Sequence, residues 1–229
     1  MKKILIILLL PLFSISQSNF NLQLLGSYQW SFSEGSDIWG WVDSNGNEFA
    51  LVGLNDGFSV VDVTNPMNLN EMFYIPDLNS TWRDIKTWGN YAYVTTEADA
   101  GLLIVDLSDM SGNTYWHKTN FTNPNGQSTE FTAAHNIYID ENGIAYIFGA
   151  SSNSGSNPSN GAIFLDVNVD PINPHYLGEW DQNYIHDGMV RGDTMYAGCI
   201  YAGELFIVDV SNKLNPQTLG SKSTPSNFT

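Results

Sequence analysis

The residues of this chain best suited to chemistry are three polar doublets, Arg83-Asp84, His135-Asn136 and His186-Asp187. Two imidazoles, two carboxylates, an amide and a guanidinium can hold a divalent metal or a small polar ligand if the fold gathers them. Within the set, His135, His186 and Asp187 are the candidate metal ligands, because imidazole nitrogen and carboxylate oxygen both suit divalent cations. Arg83 is out of place in a crowded metal centre; it is expected to pair with Asp84 or to hold an anionic ligand. None of the spacings is itself a metal motif, so everything depends on what positions the doublets.

What positions them is a repeat. Gly203-Glu204-Leu205-Phe206-Ile207-Val208-Asp209 is matched by Gly101-Leu102-Leu103-Ile104-Val105-Asp106, by Gly57-Phe58-Ser59-Val60-Val61-Asp62 and, more loosely, by Gly161-Ala162-Ile163-Phe164-Leu165-Asp166. Each is a glycine, a β-branched and aromatic run, an aspartate and a polar stop, the pattern of a strand between two turns. An aromatic precedes each aspartate (Phe49, Tyr93, Tyr146, Tyr196), and a doublet lies ten or eleven residues before each of the last three aromatics. The third unit is longer by seven residues, supplied by the polar loop 151–160. An Asn-Pro turn and another strand follow the aspartate, as at Asn173-Pro174 and Asn215-Pro216. Four strands per unit, with the aspartates 44, 60 and 43 residues apart, is the signature of an all-β fold, a β-propeller of four-stranded blades. First strands of successive blades line the central channel, so the scattered doublets are expected to converge at one rim.

The blades are expected at about 25–76, 77–121, 133–181 and 182–225, with a looser stretch at 122–132 and a fifth blade starting at 226–229. On this reading the chain is the front part of a longer protein with an incomplete ring. The inner strand of blade one, Ile38-Trp39-Gly40-Trp41-Val42, carries bulk where the others carry the polar pair. Residues 1–17 read as a secretory signal peptide, with a basic tip, a short apolar run and small residues at Ser14 and Ser16. The apolar run is shorter than the roughly 20 residues of a membrane span, so no transmembrane segment is expected after cleavage. Export to the cell surface or the medium follows. Eight basic against twenty-four acidic residues give a net charge of −16, which disfavours nucleic acid and anionic lipid as partners. The single cysteine, Cys199, excludes an internal disulfide and reads as a buried, inert thiol within a strand.

Each candidate has a plainer reading. Asp62, Asp106, Asp166 and Asp209 stand where a strand meets a turn and are expected to bond that turn's own backbone, since one ligand per blade cannot fill a coordination shell. The doublets can instead form an inter-blade hydrogen-bond belt around a water-filled channel, and that reading carries the greater weight. His117 and His175 read as surface residues, and Trp39, Trp41, Trp82, Trp88 and Trp180 as wedges between blades rather than a carbohydrate platform. Asp43-Ser44-Asn45-Gly46 and Asp140-Glu141-Asn142-Gly143 read as hairpin turns, not calcium loops. Nucleophile elbows, zinc-protease helices and phosphate-cradling glycine loops are absent.

Leu102-Leu103-Ile104-Val105-Asp106 and Leu205-Phe206-Ile207-Val208-Asp209 resemble the LVIVD repeat of bacterial and archaeal cell-surface proteins. Together with Trp82-Arg83-Asp84-Ile85-Lys86, Ala134-His135-Asn136-Ile137, Ile185-His186-Asp187-Gly188 and Ser226-Asn227-Phe228-Thr229, they are similar to the choice-of-anchor B family of exported bacterial propellers. That resemblance implies the fold and the location rather than a reaction, and it implies a further His-Asn after Thr229 that would add a third imidazole. The expectation is a non-catalytic binding module for an extracellular protein or a small polar ligand. A metal-dependent enzyme with its site at the channel rim, its cofactor a divalent cation, and a purely structural surface component are the alternatives.

Overall fold

The computed structural model describes residues 21–155 and 157–225. The expected signal peptide and the start of a fifth blade at 226–229 lie outside the described residues. Among the described residues the regular structure is all strand, in four antiparallel four-stranded sheets and one hairpin. The first sheet holds β1 (Gly35–Val42), β2 (Glu48–Leu54), β3 (Gly57–Asp62) and β4 (Asn70–Pro76). The second holds β5 (Arg83–Trp88), β6 (Tyr91–Thr96), β7 (Leu102–Asp106) and β8 (Tyr115–Lys118). A two-stranded hairpin, β9 (Asn120–Thr122) with β10 (Ser128–Glu130), comes next. The third sheet holds β11 (Asn136–Ile139), β12 (Ile144–Phe148), β13 (Ala162–Asp166) and β14 (His175–Trp180), and the fourth β15 (Asp187–Arg191), β16 (Thr194–Cys199), β17 (Glu204–Asp209) and β18 (Gln217–Ser223). Strand order equals chain order in every sheet, and β1, β5, β11 and β15 lie side by side in turn.

The repeated apolar run has a direct cause. Side chains alternate between the faces of a strand, and both faces of the second sheet are covered. Leu102 and Ile104 of β7 pack with Ile147, Ile163 and Leu165 of the third sheet, whereas Leu103 and Val105 pack with Phe58, Val60 and Ile75 of the first. All four are at most 1% exposed, so the strand reads as an unbroken apolar run rather than an alternating one. Each such burial stabilises by about 1.5–3 kcal/mol. Trp180 fills the seam between the third and fourth sheets, against Phe206, and its indole N–H donates to Thr218 Oγ1 at 3.1 Å.

The repeat aspartates close the strands. Oδ1 of Asp62, Asp106, Asp166 and Asp209 accepts the N–H two residues on, from Thr64, Ser108, Asn168 and Ser211, at 2.8–2.9 Å. Asp43 and Asp140 accept two N–H groups each within their hairpin turns. The stretch 122–132, read from sequence as a loose connection, is in fact largely the β9–β10 hairpin. It is pinned by the stacked rings of Phe121 and Phe131, 5.1 Å apart at 11°, which belong to the core. The polar loop 151–160 is also anchored: the buried Asn157 donates from Nδ2 to Ala150 O at 2.9 Å.

Candidate functional site

Each inner strand begins with a polar doublet, and the blade packing brings the four starts around one pocket of about 350 Å³. Blade one is no exception, contrary to the sequence reading. Ser36-Asp37 precedes Ile38 as Arg83-Asp84 precedes Ile85, and Ile38 pairs with Val52 as Ile85 pairs with Val94. The pair escapes a count from the aromatic because the β1–β2 hairpin is longer: Val42 pairs with Glu48 across five residues, whereas Trp88 pairs with Tyr91 across two.

The second members of the doublets form a belt. The Asp37 carboxylate accepts from Ile85 N at 2.9 Å and lies close enough to the Asp84 carboxyl to interact with it. Asn136 Nδ2 donates to Asp84 Oδ2 on one side and to Asp187 Oδ1, at 3.2 Å, on the other. Lys86 Nζ donates to Asp84 Oδ1 at 3.0 Å while lying 4.4 Å from the ring centroid of Trp39. From Asp84 to Asp187 the belt thus alternates acceptor, donor and acceptor, and Asp37 sets a second carboxyl beside Asp84. Burial first, then the hydrogen bond and charge of Asp84, push Asp37 up to about 6.

The first members diverge in role. Arg83 is a correction: it neither pairs with Asp84 nor presents its guanidinium to a ligand. Its side chain is fully buried, with Nε donating to Leu54 O at 2.7 Å, Nη1 to Asp77 Oδ2 at 2.7 Å and Nη2 to Leu78 O. Asp77, from the linker between blades one and two, also meets His117 Nε2 at 3.4 Å. Burial works to raise the Asp77 pKa, but the His117 bond, the Leu78 N–H and the Arg83 charge outweigh it and hold the carboxyl below its usual value. Arg83 therefore stitches blades one and two together, and His117, a surface residue of β8 as expected, also reaches Asp77.

His135 and His186 face each other. Their ring centroids are 3.9 Å apart at an interplanar angle of 42°. His135 Nδ1 meets Glu97 Oε1 at 2.7 Å, and His186 Nδ1 meets Asp187 Oδ2. Ligand atoms from His135, His186 and Asp187 all lie within 4.8 Å of one another, a spacing a single divalent cation can bridge. The two rings are partly exposed and Asp187 is open to solvent, so an ion has a path in. Gly188 makes the approach of blade four feasible, since a Cβ there would meet the Phe148 ring at 2.6 Å.

Several neighbours were not legible as site residues. Glu97, in the turn after β6, orients His135 in the way carboxylates orient metal-binding imidazoles. Trp82, 53% exposed, stands 6.0 Å from His135 and so lines the rim instead of wedging blades. Trp39 and Trp41 do bridge blades, donating to Thr87 Oγ1 and Gly89 O at 3.0 Å. Tyr184 packs beside His186 and Tyr201. Burial, then the Glu97 charge, Tyr201 and Asp187, raise its hydroxyl to about 12, so it is a neutral donor at physiological pH.

Among solved structures, the fold is similar to that of a Bacteroides fragilis protein with a provisional 6-phosphogluconolactonase assignment, at 10% identity and a TM-score of 0.58, covering 84% of this chain and 55% of that one. It is similar to the periplasmic gluconolactonase of Pseudomonas aeruginosa, at 10% identity and a TM-score of 0.58, covering 85% and 55%. It is also similar to PorZ, a surface component of the type-IX secretion system of Porphyromonas gingivalis, at 15% identity and a TM-score of 0.60, covering 93% and 31%. The chain spans about half the length of the two lactonase-like structures, and at these identities the likeness is one of fold. No curated protein matches the sequence. The LVIVD repeat matches it at residues 45–76, 81–114 and 190–224, in the first, second and fourth sheets. The four sheets are blades, and the chain is an LVIVD-repeat β-propeller protein.

Proposed function

We propose that this chain is an exported, non-catalytic propeller module that captures a divalent cation at its channel rim through His135, His186 and Asp187. The observation that carries the reading is the 4.8 Å clustering of those three ligand atoms from two blades inside an open pocket. Two imidazoles and a carboxylate suit zinc or a neighbouring transition metal. Glu97 fixes the His135 ring and the Asn136 amide holds Asp187, so the cluster is oriented before any ion arrives. Open coordination positions then face solvent, where a polar group of a partner can complete the shell. Export is supported by the signal-like residues 1–17 and by the resemblance to choice-of-anchor B proteins. Among the described residues no helix is long and apolar enough to cross a membrane.

Calorimetric titration with zinc chloride tests the reading. One equivalent should bind, the melting temperature should rise with zinc concentration, and His135→Ala or His186→Ala should abolish both effects. Absence of heat and of any melting shift would remove the proposal.

One observation favours a second reading. The Asp37 carboxyl lines the same pocket as the cluster and, with its pKa raised to about 6, can take up and release a proton near neutrality; a metal-bound water beside such a group is the equipment of a hydrolase. Zinc-dependent cleavage of p-nitrophenyl acetate, lost in His186→Ala and reduced in Asp37→Asn, would establish it and displace the non-catalytic reading.

A further inference from the structure

A second cavity, of about 410 Å³, opens between blades one and two beside the rim pocket but outside the histidine cluster. Phe32, Ser33, Glu34, Asn55, Asp56 and Asn79 line it. Three separate segments meet there and are tied together by backbone bonds. Asn55 N donates to Glu34 O at 3.0 Å, and Asn55 O accepts from Ser80 N at 2.8 Å. Asp56 is fixed in the β2–β3 turn because its carbonyl accepts from Tyr74 Oη at 2.7 Å and from Asp77 N at 2.9 Å. The cavity is therefore built rather than incidental to mobile loops.

Two of its polar atoms call for a ligand. Asp56 Oδ1 and Ser33 Oγ are buried, and among the described residues neither has a hydrogen-bond partner. Leaving such atoms unmatched costs about 1–3 kcal/mol each, and more for a charged oxygen. A group that enters the cavity with hydroxyl donors recovers that cost once a side-chain rotation brings these covered oxygens to the wall.

The aromatic wall narrows the chemistry. Phe32 is 58% exposed and is held in place by Tyr74, edge to face at 5.4 Å and 72°. Tyr74 is itself anchored through its hydroxyl to Asp56 O. A rigid, solvent-facing ring thus stands beside a carboxylate acceptor, a hydroxyl and two amides. An inorganic cation has no use for the ring and fills only a small part of 410 Å³. A sugar has both complementary parts, an apolar C–H face for the ring and a hydroxyl edge for the acceptors.

We propose that this cavity binds a saccharide, with Phe32 under the C–H face of the ring and Asp56 and Ser33 taking its hydroxyls. The assignment is independent of the rim cluster and survives its failure. Saturation-transfer NMR on the whole chain with D-glucose, D-galactose, D-mannose and N-acetyl-D-glucosamine tests it. At least one sugar should give a signal, and Phe32→Ala and Asp56→Asn should each weaken its binding by about tenfold. Tyr115→Ala, which removes an exposed aromatic on the outer strand β8, should leave binding unchanged. Phe32 is exposed enough that its variant keeps the fold even if Asp56→Asn does not. No signal from any of the four sugars, or a signal that persists in Phe32→Ala, overturns the assignment. A melting temperature raised by calcium chloride in the wild type but not in Asp56→Asn, with no sugar signal, would assign the cavity to a cation and overturn it as well.

Discussion

His135 and His186 belong to adjacent blades, yet their rings sit 3.9 Å apart at the channel rim. Each is the first member of a doublet that opens its blade's inner strand, so one packing step between the third and fourth sheets creates the contact. The second members, Asn136 and Asp187, bond each other in the same step. The belt and the proposed ligand cluster are thus neighbouring parts of one arrangement.

Arg83 should matter more to stability than to ligand binding. Its guanidinium is buried against Asp77, Leu54 O and Leu78 O, so Arg83→Ala strands a buried carboxylate and two carbonyls. The expected loss is about 3–5 kcal/mol, read from the urea midpoint. A loss below about 1 kcal/mol would show that the interface does not depend on this pair.

Asp37 should make folding stability fall as pH rises through the weakly acidic range. Its folded pKa, about 6, lies above the ordinary carboxylate value of 3.8, so between those values the folded state holds more proton than the unfolded one. The stabilising effect of the shared proton is complete below the lower value and lost above the upper one. Because Asp37 is only partly buried, screening limits the effect to about 1 kcal/mol. Asp37→Asn can donate to Asp84 at any pH, so it should match the wild type near pH 4 and exceed it at pH 7.5. Identical pH profiles of the two proteins, by urea denaturation, would contradict the shared proton.

Cys199 should be silent in the folded protein. It is fully buried, and burial followed by the Glu204 charge pushes its thiol up to about 12. Ellman's reagent at pH 8 should give no colour until denaturant is added, after which one equivalent reacts. Prompt reaction of the native protein would show that the seam between the third and fourth sheets opens.

The strands and the repeat aspartates were legible because both obey local rules: a doubly covered strand reads as an unbroken apolar run, and an aspartate at its end closes its own turn. His135, His186 and Asp187 were legible because they occupy equivalent positions of a repeat. Ser36-Asp37 was not, since three extra hairpin residues broke the count from Phe49. The direction of Arg83 was hidden for another reason. Its partner Asp77 lies in a linker, off the repeat, and nothing local reveals that the guanidinium turns inward. Glu97 likewise sits in a turn with no counterpart in register, and only the packing of blades two and three brings it to His135.

The most direct test of the account uses the chain's four histidines as reporters of one another. With ¹⁵N-labelled imidazoles, zinc titration should shift the ring signals of His135 and His186 together, saturating at one equivalent, while His117 and His175 stay still. Independent shifts of His135 and His186, or no shift of either, would contradict a shared site built by adjacent blades.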